Sequence, residues 1–186
     1  KGLERAQRHG ISDWVVDYAA VLRACRQDPG KVRPPEDFQL EDVRAKQAIF
    51  PASADRNRVD AYLTSRAVAE ARLLKAMPPD SFDLLVLAGF MRNLTPYFID
   101  RVNKDRARPR IMNIHPALLP AFPGTDGYGD TFRYGCKVAG CTVHFVDYGE
   151  DSGPIIGQRV FAVYEDDTLE SIRRRGLEQE WQLYPE

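Results

Sequence analysis

Between residues 55 and 77, apolar Val59, Leu63, Ala67, Leu74 and Met77 recur at near-helical spacing among charges, and Pro78-Pro79 closes the run. A return every three or four residues lays one stripe of a helix against a core, so this pattern predicts an amphipathic helix. Leu84-Leu85-Val86-Leu87-Ala88 is continuous instead, is bounded by Asp83 and Gly89, and is too short for a typical helix. It predicts a strand covered on both faces, and with it a parallel α/β sheet. Thr95-Pro96 supplies an N-cap and a first-turn proline for a short helix through Val102, after which residues 110–114 read as the next strand. Residues 140–146 alternate Thr142, His144 and Val146 against Cys141, Val143 and Phe145, and residues 155–163 predict a further strand. Residues 168–184 read as a helix that Gly176 can interrupt.

The amino-terminal part is less regular. Residues 1–10 read as the end of a helix stopped by Gly10, and residues 11–16, with Trp14, as a short strand. Residues 17–51 contain Asp28-Pro29-Gly30 and Pro34-Pro35 among scattered charges, which suggests a long surface insertion. At 186 residues one core burying roughly 70% of the unfolded surface is feasible, so a single domain over 1–186 is expected. A chain 44% hydrophobic and 28% charged is ordinary for a globular protein, which excludes disorder, collagen and coiled coil. Lys+Arg 26 against Asp+Glu 27 gives a net charge of -1, so the bulk electrostatics point neither to nucleic acid nor to a membrane surface. No apolar stretch approaches the ~20 residues of a membrane helix and no signal segment opens the chain, so a cytoplasmic location is expected. Cys25, Cys136 and Cys141 lack C-x-x-C spacing and read as reduced thiols.

Candidate chemistry gathers in the second half. In Asn113-Ile114-His115-Pro116 the polar pair lies two apart, so both side chains emerge on one face of an extended segment. Pro116 prevents simple strand continuation and places the pair at a carboxyl edge, where open α/β sheets bind ligands. From spacing alone, a hydrogen-bonded Asn and His that merely fix a turn are an equal reading. Residues 147–154 form an acidic loop with two glycines directly after a strand, and Asp151 brought against His115 would favour the imidazolium for acid-base work. A solvated turn is the plain alternative. The carboxylates do not match the calcium-loop spacing, and His144, Asp147 and Asp151 make an incomplete zinc set, so no metal is expected. Leu118-Leu119-Pro120-Ala121-Phe122-Pro123-Gly124 could wall a pocket, while Arg173-Arg174-Arg175 reads as a solvated helix face.

Four blocks in order carry a resemblance: Leu87-Ala88-Gly89-Phe90-Met91-Arg92, then Asn113-Ile114-His115-Pro116 with Leu118-Leu119-Pro120, then Thr142-Val143-His144-Phe145-Val146, then Asp151-Ser152-Gly153-Pro154. Together they resemble the phosphoribosylglycinamide formyltransferase family. That resemblance implies a Rossmann-like α/β domain, mostly parallel, with helices on both faces. It implies transfer of a formyl group from 10-formyltetrahydrofolate to the amine of glycinamide ribonucleotide, without a metal, by a monomer or homodimer. Asn113, His115 and Asp151 match the family's catalytic positions, and His144 a supporting histidine. Arg56, Met91, Arg92, Asn93 and Leu94 match its folate-contacting positions, as do Asp147, Tyr148, Gly149 and Glu150 with Asn113. Glu180 matches a glutamate near the nucleotide.

Three departures accompany the match. The family's opening strand and glycine-serine-rich phosphate loop have no counterpart in this chain, so the domain is expected to be truncated at its amino end. Residues 17–51 exceed the family's usual connection, and Tyr128 stands where a histidine is common. Two alternatives stay open at this point. One is a formyltetrahydrofolate deformylase, against which Pro116 speaks because that family typically has a second histidine there. The other is a non-catalytic folate-binding protein.

Overall fold

Residues 2–28, 33–105 and 107–186 are described by a computed structural model. Lys1 of the first predicted helix and Pro29-Gly30 of the expected break lie outside these residues. Helix α1 (Gly2–Arg8) stops as its glycine predicts: at φ +65°, Gly10 lets Ile11 N–H donate to the Ala6 carbonyl while its own N–H donates to Gln7. The strand expected at residues 11–16 is not formed. Ile11, Trp14 and Val15 are largely exposed, and no described strand lies alongside to take up the backbone groups.

Residues 17–51 hold two helices that the scattered charges concealed. Asp17 accepts the Ala20 N–H and starts α2 (Tyr18–Gln27). Tyr18 and Val21 pack there on Val68 and Ala69. Helix α3 (Leu40–Lys46) buries Val43 against Val59, Leu63 and Tyr97. The Val59 and Val68 clusters both sit on α4 (Arg56–Ala76), the helix predicted from the apolar stripe, whose cap is Asp55 accepting Arg58 N–H.

Strand β1 (Leu85–Leu87), helix α5 (Pro96–Val102) and strand β2 (Ile111–His115) follow within a residue or so of expectation. After α6 (Gly127–Tyr134) come β3 (Val138–Phe145), β4 (Ile155–Ala162) and α7 (Leu169–Leu183). Gly176 does not interrupt α7, which Thr168 and Ser171 open with reciprocal side-chain to backbone bonds.

The sheet order is β1-β2-β3-β4. Only β1 and β2 run parallel, and the β2/β3 and β3/β4 pairs are antiparallel, so the expected mostly parallel sheet is corrected to a mixed one among the described strands. Between β3 and β4 the chain turns through a loop without a crossover helix, and a direct connection of that kind returns the chain antiparallel. Helices do cover both faces. Phe98, Ile99 and Val102 of α5 pack with Ile111, Leu85 and Leu87 on one side; Tyr128 of α6 and Ile172 of α7 pack with Ala139 and Phe161 on the other.

Candidate active site

Strand register assembles the polar cluster. Asn113 and His115 share a face of β2, and antiparallel pairing sets His144 opposite Asn113 and Thr142 opposite His115. Asn113 Nδ2 lies 3.4 Å from His144 Nε2. The loop after β3 then returns Asp151, whose Oδ2 is 3.1 Å from His115 Nδ1 and whose Oδ1 is 3.6 Å from His144 Nε2. Its backbone sits at φ +50°, the left-handed region uncommon for a residue with a side chain. Its carboxylate also accepts Gly124 N–H at 2.9 Å. Burial pushes the Asp151 carboxyl up, but the His144 contact, the Gly124 bond and the imidazole charges outweigh it and hold it below the ordinary carboxylate value.

The other nitrogen of His115, Nε2, donates to the Phe122 carbonyl at 2.8 Å. Both ring nitrogens therefore face oxygens, an arrangement satisfied by a ring carrying both protons. The turn-fixing reading is thus partly realised, since His115 anchors the Phe122–Gly124 segment, but Asp151 and His144 beside it exceed what a turn needs.

The cluster opens into a cleft of about 310 Å³. Met91, Arg92, Asn93 and Leu94 form one wall, Asp147, Gly149 and Glu150 another, and Asn113, His115, His144 and Asp151 line the space between them. The acidic loop is ordered from within: Asp147 Oδ1 accepts the Ser152 hydroxyl at 2.6 Å and Gly149 N–H at 3.0 Å. At Gly153 a Cβ would fall 1.9 Å from the Phe145 carbonyl oxygen, so only glycine permits this close approach. Thr125 and Ser152 also line the cleft, as do Tyr62 and Arg66, which no motif in the sequence marks. Their one signal is the four-residue spacing of Tyr62 and Arg66, which stacks the guanidinium 4.0 Å from the ring centroid.

Three predicted site residues lie elsewhere. Arg56 is exposed, 3.7 Å from Glu41. Tyr148 turns its hydroxyl to Asp100 while its carbonyl accepts Ala48 N–H. Glu180 sits on α7 and accepts the Tyr128 hydroxyl at 2.9 Å. A carboxylate not foreseen, Glu70 of α4, supports the Met91–Leu94 wall from behind. It accepts Thr95 N–H at 2.8 Å and the Thr95 hydroxyl, so Thr95 binds Glu70 rather than capping α5 with its own side chain. Among the described residues no group of three His, Cys, Asp or Glu could hold a metal ion, and no helix is long and apolar enough to cross a membrane.

Residues 8–186 match the family described as formyl transferase. A phosphoribosylglycinamide formyltransferase of Bacillus subtilis is 42% identical over 91% of this chain and 78% of its own length. The chain belongs to the formyl transferase family. Its similarity within the family is to phosphoribosylglycinamide formyltransferases, including that of Mycobacterium tuberculosis, 45% identical over 60% of this chain and 49% of that protein. The chain thus spans about half of the mycobacterial relative and over three quarters of the Bacillus one. Among solved structures, glycinamide ribonucleotide transformylase 1 from Geobacillus kaustophilus superposes over 98% of this chain and 72% of its own, with a TM-score of 0.64 and 29% identity. The α/β formyl transferase fold is therefore common to both.

Proposed function

We propose that the protein transfers a formyl group from 10-formyltetrahydrofolate to the amine of glycinamide ribonucleotide in purine synthesis. The observation that carries this reading is the convergence of Asn113, His115, His144 and Asp151 at the floor of a cleft walled by Met91–Leu94 and the 147–150 loop. Relatives named for this reaction across most of the chain support it.

In this mechanism the pterin lies along the backbone of the 147–150 loop and Met91–Leu94. Asn113 turns an amide N–H toward the formyl oxygen, and His115 joins it by exchanging the Phe122 carbonyl for that oxygen. When the amine attacks the formyl carbon, these donors meet the oxyanion of the tetrahedral intermediate. Collapse breaks the bond to the folate nitrogen, which takes up the proton that the attacking amine loses, with His115 as the group placed to move it. Asp151 holds the imidazolium, and His144 Nε2, 3.6 Å from Asp151 Oδ1, supports that carboxylate. In His115→Ala the rate of formyl transfer should fall on the order of 10²–10⁴-fold. A wild-type rate in that variant would remove His115 from the mechanism.

A further inference from the structure

Residues 17–51 carry no chemical motif, yet the chain leaving α3 touches both the acidic loop and the α4 side of the cleft. Val43 seats α3 against Val59 and Leu63 of α4 and Tyr97 of α5. Gln47 then fixes the path of the next residues, its Oε1 accepting Ile49 N–H at 3.0 Å and Phe50 N–H at 2.8 Å. To one side, Ala48 N–H donates to the Tyr148 carbonyl at 2.9 Å. The Tyr148 hydroxyl donates to Asp100 Oδ1, and Lys46 Nζ reaches Oδ2 of the same carboxylate at 2.7 Å. To the other side, Phe50 meets Tyr62 edge to face at 4.9 Å between centroids, and Tyr62 lines the cleft with Arg66 stacked on its ring.

Asp147 and Gly149 line the cleft, while the Tyr148 ring between them packs with Phe98, Ile99 and Ile111. The loop is therefore fastened in two ways. The bonds that Asp147 makes to Ser152 and Gly149 lie inside the loop and would travel with it. Those of Tyr148 tie it to Ala48, just beyond α3, and to Asp100 of α5, and so set where the loop stands relative to the Met91–Leu94 wall. We propose that Tyr148 is a positioning residue for the formyl donor: held by Ala48, Asp100 and Lys46, it keeps the 147–150 loop at the separation from Met91–Leu94 that the pterin requires. Fastening that loop is then the part residues 46–50 play in the reaction. This rests on the formyl-transfer reading above and deepens its donor side.

The test is steady-state kinetics of Tyr148→Phe, which keeps the ring in its packing and removes only the hydroxyl, leaving Asp100 its Lys46 partner. The KM for 10-formyltetrahydrofolate should rise about tenfold, with kcat and the KM for glycinamide ribonucleotide within about twofold. Loosened packing would instead lower the active fraction and leave the two KM values alike. Lys46→Met should raise the donor KM by a smaller factor, and because both side chains act through Asp100 the double variant should show less than the product of the two effects. An unchanged donor KM in Tyr148→Phe, equal rises in both KM values, a fall in kcat alone, or fully multiplicative effects in the double variant would each overturn the Tyr148 assignment. Calorimetry with tetrahydrofolate separates that failure from a deeper one. Wild-type protein that neither binds tetrahydrofolate nor forms a formylated nucleotide would overturn the functional reading itself, and the Tyr148 proposal with it.

Discussion

Asp151 and Glu70 are both carboxylates folded away from water near one cleft, yet their surroundings drive them in opposite directions. Asp151 lies between two imidazoles and accepts a backbone N–H, and these interactions overcome the burial that would otherwise raise it. Glu70 is fully buried with Thr95 as its hydrogen-bond partner, and burial lifts its pKa to about 7 despite those bonds. The Thr95 bonds and the Arg66 and Arg101 charges pull Glu70 back, but at full burial they do not outweigh the loss of water around the anion. One carboxylate is thereby equipped to act on a histidine, while the other buttresses the wall formed by Met91–Leu94.

The largest expected effect separates these roles. Asp151→Asn keeps the shape of the carboxylate but removes its charge, and formyl transfer should fall on the order of 10²–10⁴-fold in a protein whose circular dichroism is unchanged. A loss under tenfold would make Asp151 structural like Glu70. Next comes Glu70→Ala, which leaves the Thr95 N–H and hydroxyl without their partner and should destabilise the fold by about 2–4 kcal/mol in denaturant unfolding. Retained stability would mean that water satisfies Thr95.

The smallest effect is a pH slope. An unfolded glutamate titrates near ~4.3 and folded Glu70 at about 7, so between these values the native state binds more protons. Glu70 therefore makes stability decline as pH rises through that window and level off above it. Asp151 has the opposite sign: its contribution is present above the usual carboxylate range and is lost as pH falls through its depressed value. Glu70→Gln offers an acceptor and a donor to Thr95 in the same shape, and should flatten the upper slope with little change in activity. Chemical unfolding across pH checks this, and an unaltered slope would show that Glu70 is not its source.

The legible parts of this protein are those where backbone period alone determines position. Asn113 and His115 fall on one face by a spacing of two, whereas the side to which β3 alternation brings His144 is fixed only by its pairing with β2. Helix α3 and Glu70 are among the features that escape because they depend on tertiary contacts. Helix α3 is anchored by the single buried Val43, too little apolar pattern to stand out among charges. Glu70 falls at an ordinary position on α4, and nothing local reveals that Thr95, 25 residues away, folds over it. The strand read at residues 11–16 fails for the complementary reason: an apolar run becomes a strand only beside a neighbour.

The most direct test of the account follows formylated nucleotide and formate separately while the protein acts on 10-formyltetrahydrofolate with and without glycinamide ribonucleotide. The account predicts a formylated nucleotide whose appearance requires the nucleotide acceptor. Formate released equally in its absence would contradict it, and Asn113, His115 and Asp151 would then serve the attack of water.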